Sequence, residues 1–95
     1  MYARVTTFEV GAQANAMVER VRADVEADAL PAGLDGTKGI TMLVDHERGA
    51  VMTIMLFESE EALRRGDEAL NAMSPGGDVR RTSVEFYELA LERRR

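Results

Sequence analysis

The sequence predicts an α+β domain of the order β-α-β-β-α-β, with a four-stranded antiparallel sheet and two helices on one face. Segments rich in β-branched and aromatic residues alternate with segments whose apolar residues recur at helical spacing. The short polar segment 45–49 joins the two middle strands, so these strands must be antiparallel. The length of 95 residues is typical of one domain, and we expect a single domain over residues 1–95.

The first half of the chain contains a strand, a helix and a long loop. Residues 2–10 are rich in strand-forming types, and a helical period follows over residues 12–29. We expect the helix to end near Leu30, because Pro31 disfavours a helical residue before it. Residues 31–39 have loop chemistry, and long loops often border binding sites, although this loop could also have no such role. The apolar stripe of the helix consists of Ala14, Met17, Val18, Val21 and Val25.

The second half contains three strands and a helix. Residues 40–44 and 50–57 predict two strands, and residues 82–91 predict the last one. Ser59 is a suitable N-cap for a helix that residues 74–78, with their proline and glycines, should end. The apolar positions of this second helix are Leu63, Gly66, Leu70 and Met73.

The two middle strands have apolar residues on both faces, which predicts a homodimer. An antiparallel sheet with one solvated face alternates apolar and polar residues, but the third strand has only Thr53 among its apolar residues. Two helices cover one face of the sheet, and an apolar second face would be unusual in a monomer. A two-fold partner that offers the same sheet face would cover it.

The composition excludes several classes of protein. The net charge of −5 argues against nucleic-acid binding, so we expect the basic segments 80–81 and 93–95 to be solvated. The chain has no cysteine, which excludes disulfides and thiolate zinc sites and favours a cytoplasmic location. No apolar run of about 18 residues occurs. The N-terminal residues also lack signal-peptide features, so we expect no membrane partner.

Three segments of the chain resemble the dimeric α/β-barrel superfamily and, within it, the antibiotic biosynthesis monooxygenase-like family. They are GITMLVD at 39–45 with Gly49, IMLFESEEAL at 54–63, and SVEFYEL at 83–89. The resemblance implies a ferredoxin-like protomer that pairs its sheet with a second protomer to form a barrel, with a pocket between sheet and helices. Family members include cofactor-independent oxygenases of phenolic or quinol polyketides, haem-degrading enzymes and proteins of unknown role.

The resemblance implies a cofactor-independent monooxygenase that acts on a small phenolic or quinol substrate in an apolar pocket, with no cofactor. Family oxygenases and haem degraders often have a Trp where this chain has Phe57. Haem degraders also use an Asn on the first strand and a His on the second helix. Residues 2–10 contain no Asn and residues 60–73 no His, which argues against haem degradation. The alternatives are a non-catalytic small-ligand-binding or stress-associated barrel, and a structural dimer with a filled pocket.

The candidate pocket residues are few, and no catalytic residue can be assigned. Arg4 must be paired if it is buried, either by Glu85 or Glu88 on a neighbouring strand or by a substrate anion. Thr53 either bonds the backbone or faces a pocket. Tyr87 could donate a hydrogen bond to a phenolate or carbonyl, or could simply pack. The pocket candidates are Thr7, Thr53, Met55, Phe57, Tyr87 and Arg4.

His46 is the only histidine in the chain, and it lies in the predicted hairpin between Asp45 and Glu47. Histidine is a common general base in enzymes. Adjacent strand residues point to opposite faces, however, so these three side chains should not converge on a metal ion. We therefore expect a solvated loop histidine and no metal site.

Overall fold

The computed structural model describes residues 1–27, 33–73 and 79–94. It confirms the predicted fold class: the four strands form one antiparallel sheet in the order β2-β3-β1-β4, with two helices. The elements in chain order are β1 (Tyr2–Glu9), a short 3-10 helix (Gly11–Gln13), α1 (Ala14–Glu26), β2 (Thr37–Asp45), β3 (Ala50–Phe57), α2 (Glu60–Asn71) and β4 (Arg80–Glu88).

The strand register assigns each sheet residue to one of two faces. Tyr2 pairs with Phe57 and Arg4 with Met55, and residues that pair directly share a face. This set of residues faces the helices. The opposite face, which we call the open face, carries Val5, Thr7, Thr41, Leu43, Met52, Ile54, Leu56, Glu85 and Tyr87.

Helix α2 is held against the sheet by a close contact between Gly66 and Phe57. Phe57 is fully buried, and a Cβ atom added at Gly66 would lie 2.6 Å from two of its ring carbons. Only glycine therefore permits this approach of helix to ring. The helix begins at the predicted cap, where the Ser59 hydroxyl accepts a hydrogen bond from the Ala62 amide at 3.1 Å. The surrounding core consists of Leu34, Met55, Phe57, Ala62 and Leu63.

Helix α1 is anchored mainly at its first turns. Ala14 and Met17 are its buried residues, and they pack with Val10 and Val51 in a second core cluster. Farther along the helix, Val25 is 46% exposed. The C-terminal half of α1 therefore does not pack closely on the sheet, and a cleft remains between this half of the helix and β2.

The ends of two elements in the first half differ from the prediction. Helix α1 ends at Glu26 rather than near Leu30, because the residues of its last turn are exposed and gain nothing from packing. Strand β2 begins at Thr37 rather than at residue 40. Its first residues pair with the end of β3 through a register shift between Thr37 and Gly39, so this glycine belongs to a bulge and not to a loop.

Strand β4 is shifted towards the N-terminus relative to the predicted 82–91. It begins at Arg80, whose guanidinium pairs with the carboxylate of Glu9 on β1. It ends at Glu88, because β1 supplies no pairing partner beyond the bond from the Leu89 amide to the Met1 carbonyl, at 2.8 Å. The predicted helix-ending segment 74–78 lies outside the described residues.

In the described parts of the chain, no helix is both long enough and apolar enough to cross a membrane.

Candidate functional site

The gap between α1 and β2 forms a cleft of about 580 Å³, which we call the α1–β2 cleft. One wall is the apolar stripe of α1 and the other is the helix-facing side of β2. This volume lies within the range of about 300–1,000 Å³ that is typical of small-molecule sites. The apolar lining residues are Val18, Val21, Val25, Ile40 and Met42.

One polar atom of this cleft has no partner. The hydroxyl oxygen of Thr37 is buried and makes no hydrogen bond within the described residues, whereas the Thr37 amide donates to the Leu34 carbonyl at 3.0 Å. Leaving a buried hydroxyl unpaired costs about 1–3 kcal/mol. Thr37 is also one of the residues that line the cleft.

Charged side chains border the mouth of the α1–β2 cleft. Arg22 lies 3.4 Å from Glu19 along the helix surface, and Lys38 lies 3.7 Å from Glu58. All four side chains are exposed, and ion pairs of this kind contribute about 0–1 kcal/mol each. Arg22, Glu26 and Lys38 line the cleft together with the apolar residues.

A buried arginine links the sheet to α2. Arg4 is 3% exposed, and its Nε donates to Asp67 Oδ1 at 2.9 Å. Its two terminal nitrogens donate to Thr6 Oγ1 at 2.9 Å and to Asn71 Oδ1 at 3.3 Å. We call these four residues the Arg4 cluster. Arg4 is therefore paired within the protein, and it needs no substrate anion to balance its charge.

The predicted partners of Arg4 are wrong. Glu85 lies on the open face, whereas Arg4 points towards the helices, so the sheet separates the two side chains. Glu88 pairs with Tyr2 at the end of the strand, two residues from the register position of Arg4. Asp67 and Asn71, one turn apart on α2, accept hydrogen bonds from Arg4 instead.

A second cleft, of about 470 Å³, lies between α2 and β4, and we call it the α2–β4 cleft. Its apolar walls are Tyr2, Leu63 and Phe86, and Tyr87 also borders it. Its charged lining consists of Glu60, Arg64, Asp67 and Glu88.

The structure divides the six predicted pocket residues among three places. Arg4, Met55 and Phe57 are buried on the helix-facing side, and Thr53 lies half-buried there beside Thr6. Thr7 and Tyr87 lie on the open face, and Tyr87 also borders the α2–β4 cleft. None of the six lines the α1–β2 cleft.

Tyr87 is half-exposed and already has a hydrogen-bond partner. Its hydroxyl donates to Glu85 Oε2 at 2.9 Å. This hydrogen bond and the negative charge of Glu85 raise the pKa of Tyr87 above its ordinary value. Tyr87 therefore stays protonated at neutral pH.

His46 lies in an exposed turn, as predicted. The Asp45 carboxylate caps this turn by accepting hydrogen bonds from the amides of Glu47 and Arg48, at 3.1 and 3.0 Å. The described residues contain no group of three potential ligands that could hold a metal ion.

Three residues of these sites were missed in the sequence. Asp67 follows Leu63 by four residues and precedes Leu70 by three, so the helical spacing places it on the apolar face of α2. A carboxylate in that position indicates a buried partner. Asn71, one turn beyond Asp67, extends the same signal. Thr37 gave none, because it lies in a segment whose glycines and proline predict a loop.

Comparison with known proteins supports the fold. No protein-family model matches the chain, and no curated protein is similar to it. Among solved structures, a point variant of MhuD with two manganese protoporphyrin IX molecules bound per active site superimposes with a TM-score of 0.64, at 20% identity over 97% of both chains. A conserved protein from Methanosarcina mazei Go1 gives a TM-score of 0.58, at 12% identity over 90% of this chain and 89% of that one. The chain therefore shares the fold of these two proteins.

Proposed function

We propose that the protein binds a small apolar, aromatic molecule in the α1–β2 cleft. The observation that carries this proposal is the buried hydroxyl of Thr37, which has no hydrogen-bond partner among the described residues, in the lining of a cleft that also contains five apolar side chains. If the cleft were only a packing defect, a buried polar atom in its lining would lower the stability of the protein without any benefit. A ligand with one oxygen or nitrogen at this point would satisfy the hydroxyl and give the cleft its specificity.

The apolar walls would supply most of the affinity. Removing apolar surface from water contributes about 25 cal/mol per Å², so a ligand that buries about 200 Å² would gain on the order of 5 kcal/mol. Val18, Val21 and Val25 present a stiff, branched surface from one helix stripe. Met42, on the facing strand, can adapt its side chain to an irregular ligand.

A fold neighbour supports a planar aromatic ligand. The MhuD variant binds manganese protoporphyrin IX, a large planar molecule, within the same fold. A porphyrin with its metal ligated by histidine is disfavoured for this chain, because residues 60–73 contain no histidine and His46 lies in an exposed turn. A smaller phenol or quinol fits a valine-lined cleft with one hydroxyl.

The finer form of the proposal is that the bound molecule is an electron-rich phenol, quinol or anthrone that O₂ oxygenates without a cofactor. In the anthrone case the substrate supplies all four electrons: one oxygen atom becomes the new carbonyl and the other leaves as water. The Thr37 hydroxyl would donate to the substrate oxygen, and the valines would exclude water from the reacting carbon.

Homodimerisation and a cytoplasmic location complete the proposal. The open face carries half-buried Met52, Ile54 and Leu56, with Leu43 51% exposed beside them. This contiguous apolar surface supports pairing with the same face of a second copy. The cysteine-free sequence supports the cytoplasm.

A methyl-resolved NMR titration with 1,4-dihydroxynaphthalene tests the proposed ligand site under anaerobic conditions. We expect the methyl signals of Val21, Val25 and Ile40 to shift together, because all three line the α1–β2 cleft. Val5, on the open face, and Val51, in the core, are the internal controls and should not shift. Shifts confined to the open face, or none at all, would contradict the assignment. After admission of air, oxygen uptake above that of a protein-free sample, with incorporation of oxygen into the product, then tests the catalytic form separately, because this quinol also autoxidises to the quinone and H₂O₂.

A further inference from the structure

The α2–β4 cleft combines an aromatic wall with an acidic border. Phe86 is 50% exposed although it lies on the helix-facing side of β4, because α2 does not extend over it. Tyr2 and Leu63 complete the apolar part. A partner that covered the half-exposed ring of Phe86 would remove apolar area from water, which favours binding.

The charges around this cleft favour a basic partner. Three carboxylates, those of Glu60, Asp67 and Glu88, face one arginine, Arg64. Asp67 is held by Arg4 at 2.9 Å, and Glu60 lies 3.9 Å from Arg64. Glu88 has no ion pair within the described residues, so the outer end of the cleft carries net negative charge.

The chain itself contains a segment of complementary chemistry. Residues 89–94 follow β4 in neither helix nor strand, and we call them the tail. Leu91 is 85% exposed, the highest exposure among the large hydrophobic residues described. Glu92, Arg93 and Arg94 follow it, all three exposed, and the sequence continues with Arg95, so the basic residues outnumber the one acidic residue.

The tail of the same chain does not occupy the cleft. It leaves β4 immediately after Glu88, at the border of the cleft, yet Leu91 stays in solvent. The bond from the Leu89 amide to the Met1 carbonyl, at 2.8 Å, extends the pairing of β4 with β1 by one residue.

We propose that the tail of a second copy of the chain docks in the α2–β4 cleft. Leu91 of that copy inserts between Tyr2 and Phe86, and its arginines meet Glu60 and Glu88. In an extended segment, residues two positions apart are separated by about 7 Å. Leu91 and Arg93 can therefore reach the apolar part and the acidic border of the cleft at the same time. A two-fold dimer makes the exchange reciprocal and fills both clefts. The inference rests on the homodimer part of the proposed function and not on the ligand.

Disulfide trapping tests the exchange directly, because the native chain has no cysteine. A tagged Leu91→Cys chain is mixed with an untagged Arg64→Cys chain, refolded together and mildly oxidised. We expect a covalent pair of one tagged and one untagged chain. Ala23→Cys, at an exposed position of α1 away from the cleft, replaces Arg64→Cys as the control and should give no such pair. A double variant that forms only an intrachain disulfide would overturn the exchange.

Charge reversal tests the same contact energetically. Arg93→Glu with Arg94→Glu should weaken self-association about tenfold at low salt, and Glu60→Lys with Glu88→Lys should do the same. Combining all four changes should restore the dissociation constant to within about threefold of the native value. Circular dichroism checks that each variant folds. A dimer unaffected by either pair would overturn tail docking and leave the sheet-face dimer standing. A native chain that is monomeric at every concentration would overturn both.

Discussion

At the scale of single residues, the hydroxyl of Thr37 is expected to destabilise the free protein and to strengthen the proposed ligand binding. Its buried hydroxyl lacks a partner in the described protein, so the folded state bears a penalty that a ligand can remove. Arg4 shows the opposite arrangement: each of its three guanidinium nitrogens donates a hydrogen bond within the protein, and the residue is 3% exposed.

Replacing Thr37 by valine should stabilise the protein and weaken ligand binding. Valine keeps the branched shape and removes the unpaired oxygen, so we expect the free energy of unfolding to rise by about 1 kcal/mol. Binding of 1,4-dihydroxynaphthalene should weaken about tenfold, because its oxygen loses the donor. Urea unfolding and calorimetry measure the two effects.

Thr41→Val is the matched control for Thr37→Val. Thr41 lies on the same strand but on the open face, where it is exposed. We expect this change to leave the affinity unaltered. If the two variants bound equally well, the hydroxyl of Thr37 would have no role in recognition.

At the scale of elements, the Arg4 cluster couples the central strand β1 to α2. The bond between Arg4 and Asp67 joins residues 63 positions apart in the sequence. The close approach of Gly66 to Phe57 places α2 low enough on the sheet for Asp67 and Asn71 to reach the arginine. The helix position and the buried ion pair therefore depend on each other.

Replacing Asp67 by alanine should destabilise the protein by about 3 kcal/mol, because it leaves a buried guanidinium without its counter-charge. The double change Arg4→Met with Asp67→Leu should cost less than the single change, since it removes both charges. Urea denaturation gives the comparison.

The exposed pair of Glu60 and Arg64 supplies the control for the Asp67 variant. Their charged atoms lie 3.9 Å apart, and both side chains are mostly in solvent. Removing this pair with Arg64→Ala should change the stability by about 0.5 kcal/mol or less. An equally small effect of Asp67→Ala would contradict the account of the buried pair.

The sequence was informative wherever the chemistry is local. Strand β3 has its predicted limits of 50 and 57, because a turn ending in Gly49 precedes it and the cap Ser59 follows it. The start of β2 was missed, because the bulge at Gly39 resembles a loop in sequence. The α1–β2 cleft could not be predicted either, since it depends on how Ala14 and Met17 set the position of α1. The partner of Arg4 required knowledge of which helix face lies above β1.

At the scale of the whole molecule, the proposals concern three surfaces of the described residues: the open face, the α1–β2 cleft and the α2–β4 cleft. They lie on different sides of the sheet, because the clefts flank the helices and the open face is opposite them. Dimerisation through the open face would therefore leave the mouth of the α1–β2 cleft accessible to a small molecule.

Placing a charge at the centre of the open face should abolish the dimer and leave the fold intact. Ile54 lies there on the inner strand β3 and is half-buried, so Ile54→Lys would bring two ammonium groups into the paired sheets. Sedimentation velocity should show the native chain as a dimer and this variant as a monomer with unchanged far-ultraviolet circular dichroism. Glu68→Lys, on the exposed side of α2, is the control and should remain dimeric. A native monomer would contradict the pairing of sheets.

The most direct test of the central claim is the affinity for 1,4-dihydroxynaphthalene of two variants of α1, measured without oxygen. Val21→Asp puts a carboxylate in the wall of the α1–β2 cleft, whereas Ala23→Asp puts the same group on the exposed side of the same helix. We predict that Val21→Asp weakens binding at least tenfold, with both proteins folded, and that Ala23→Asp binds like the native chain. Equal affinities for the two variants would show that the ligand does not bind between α1 and β2.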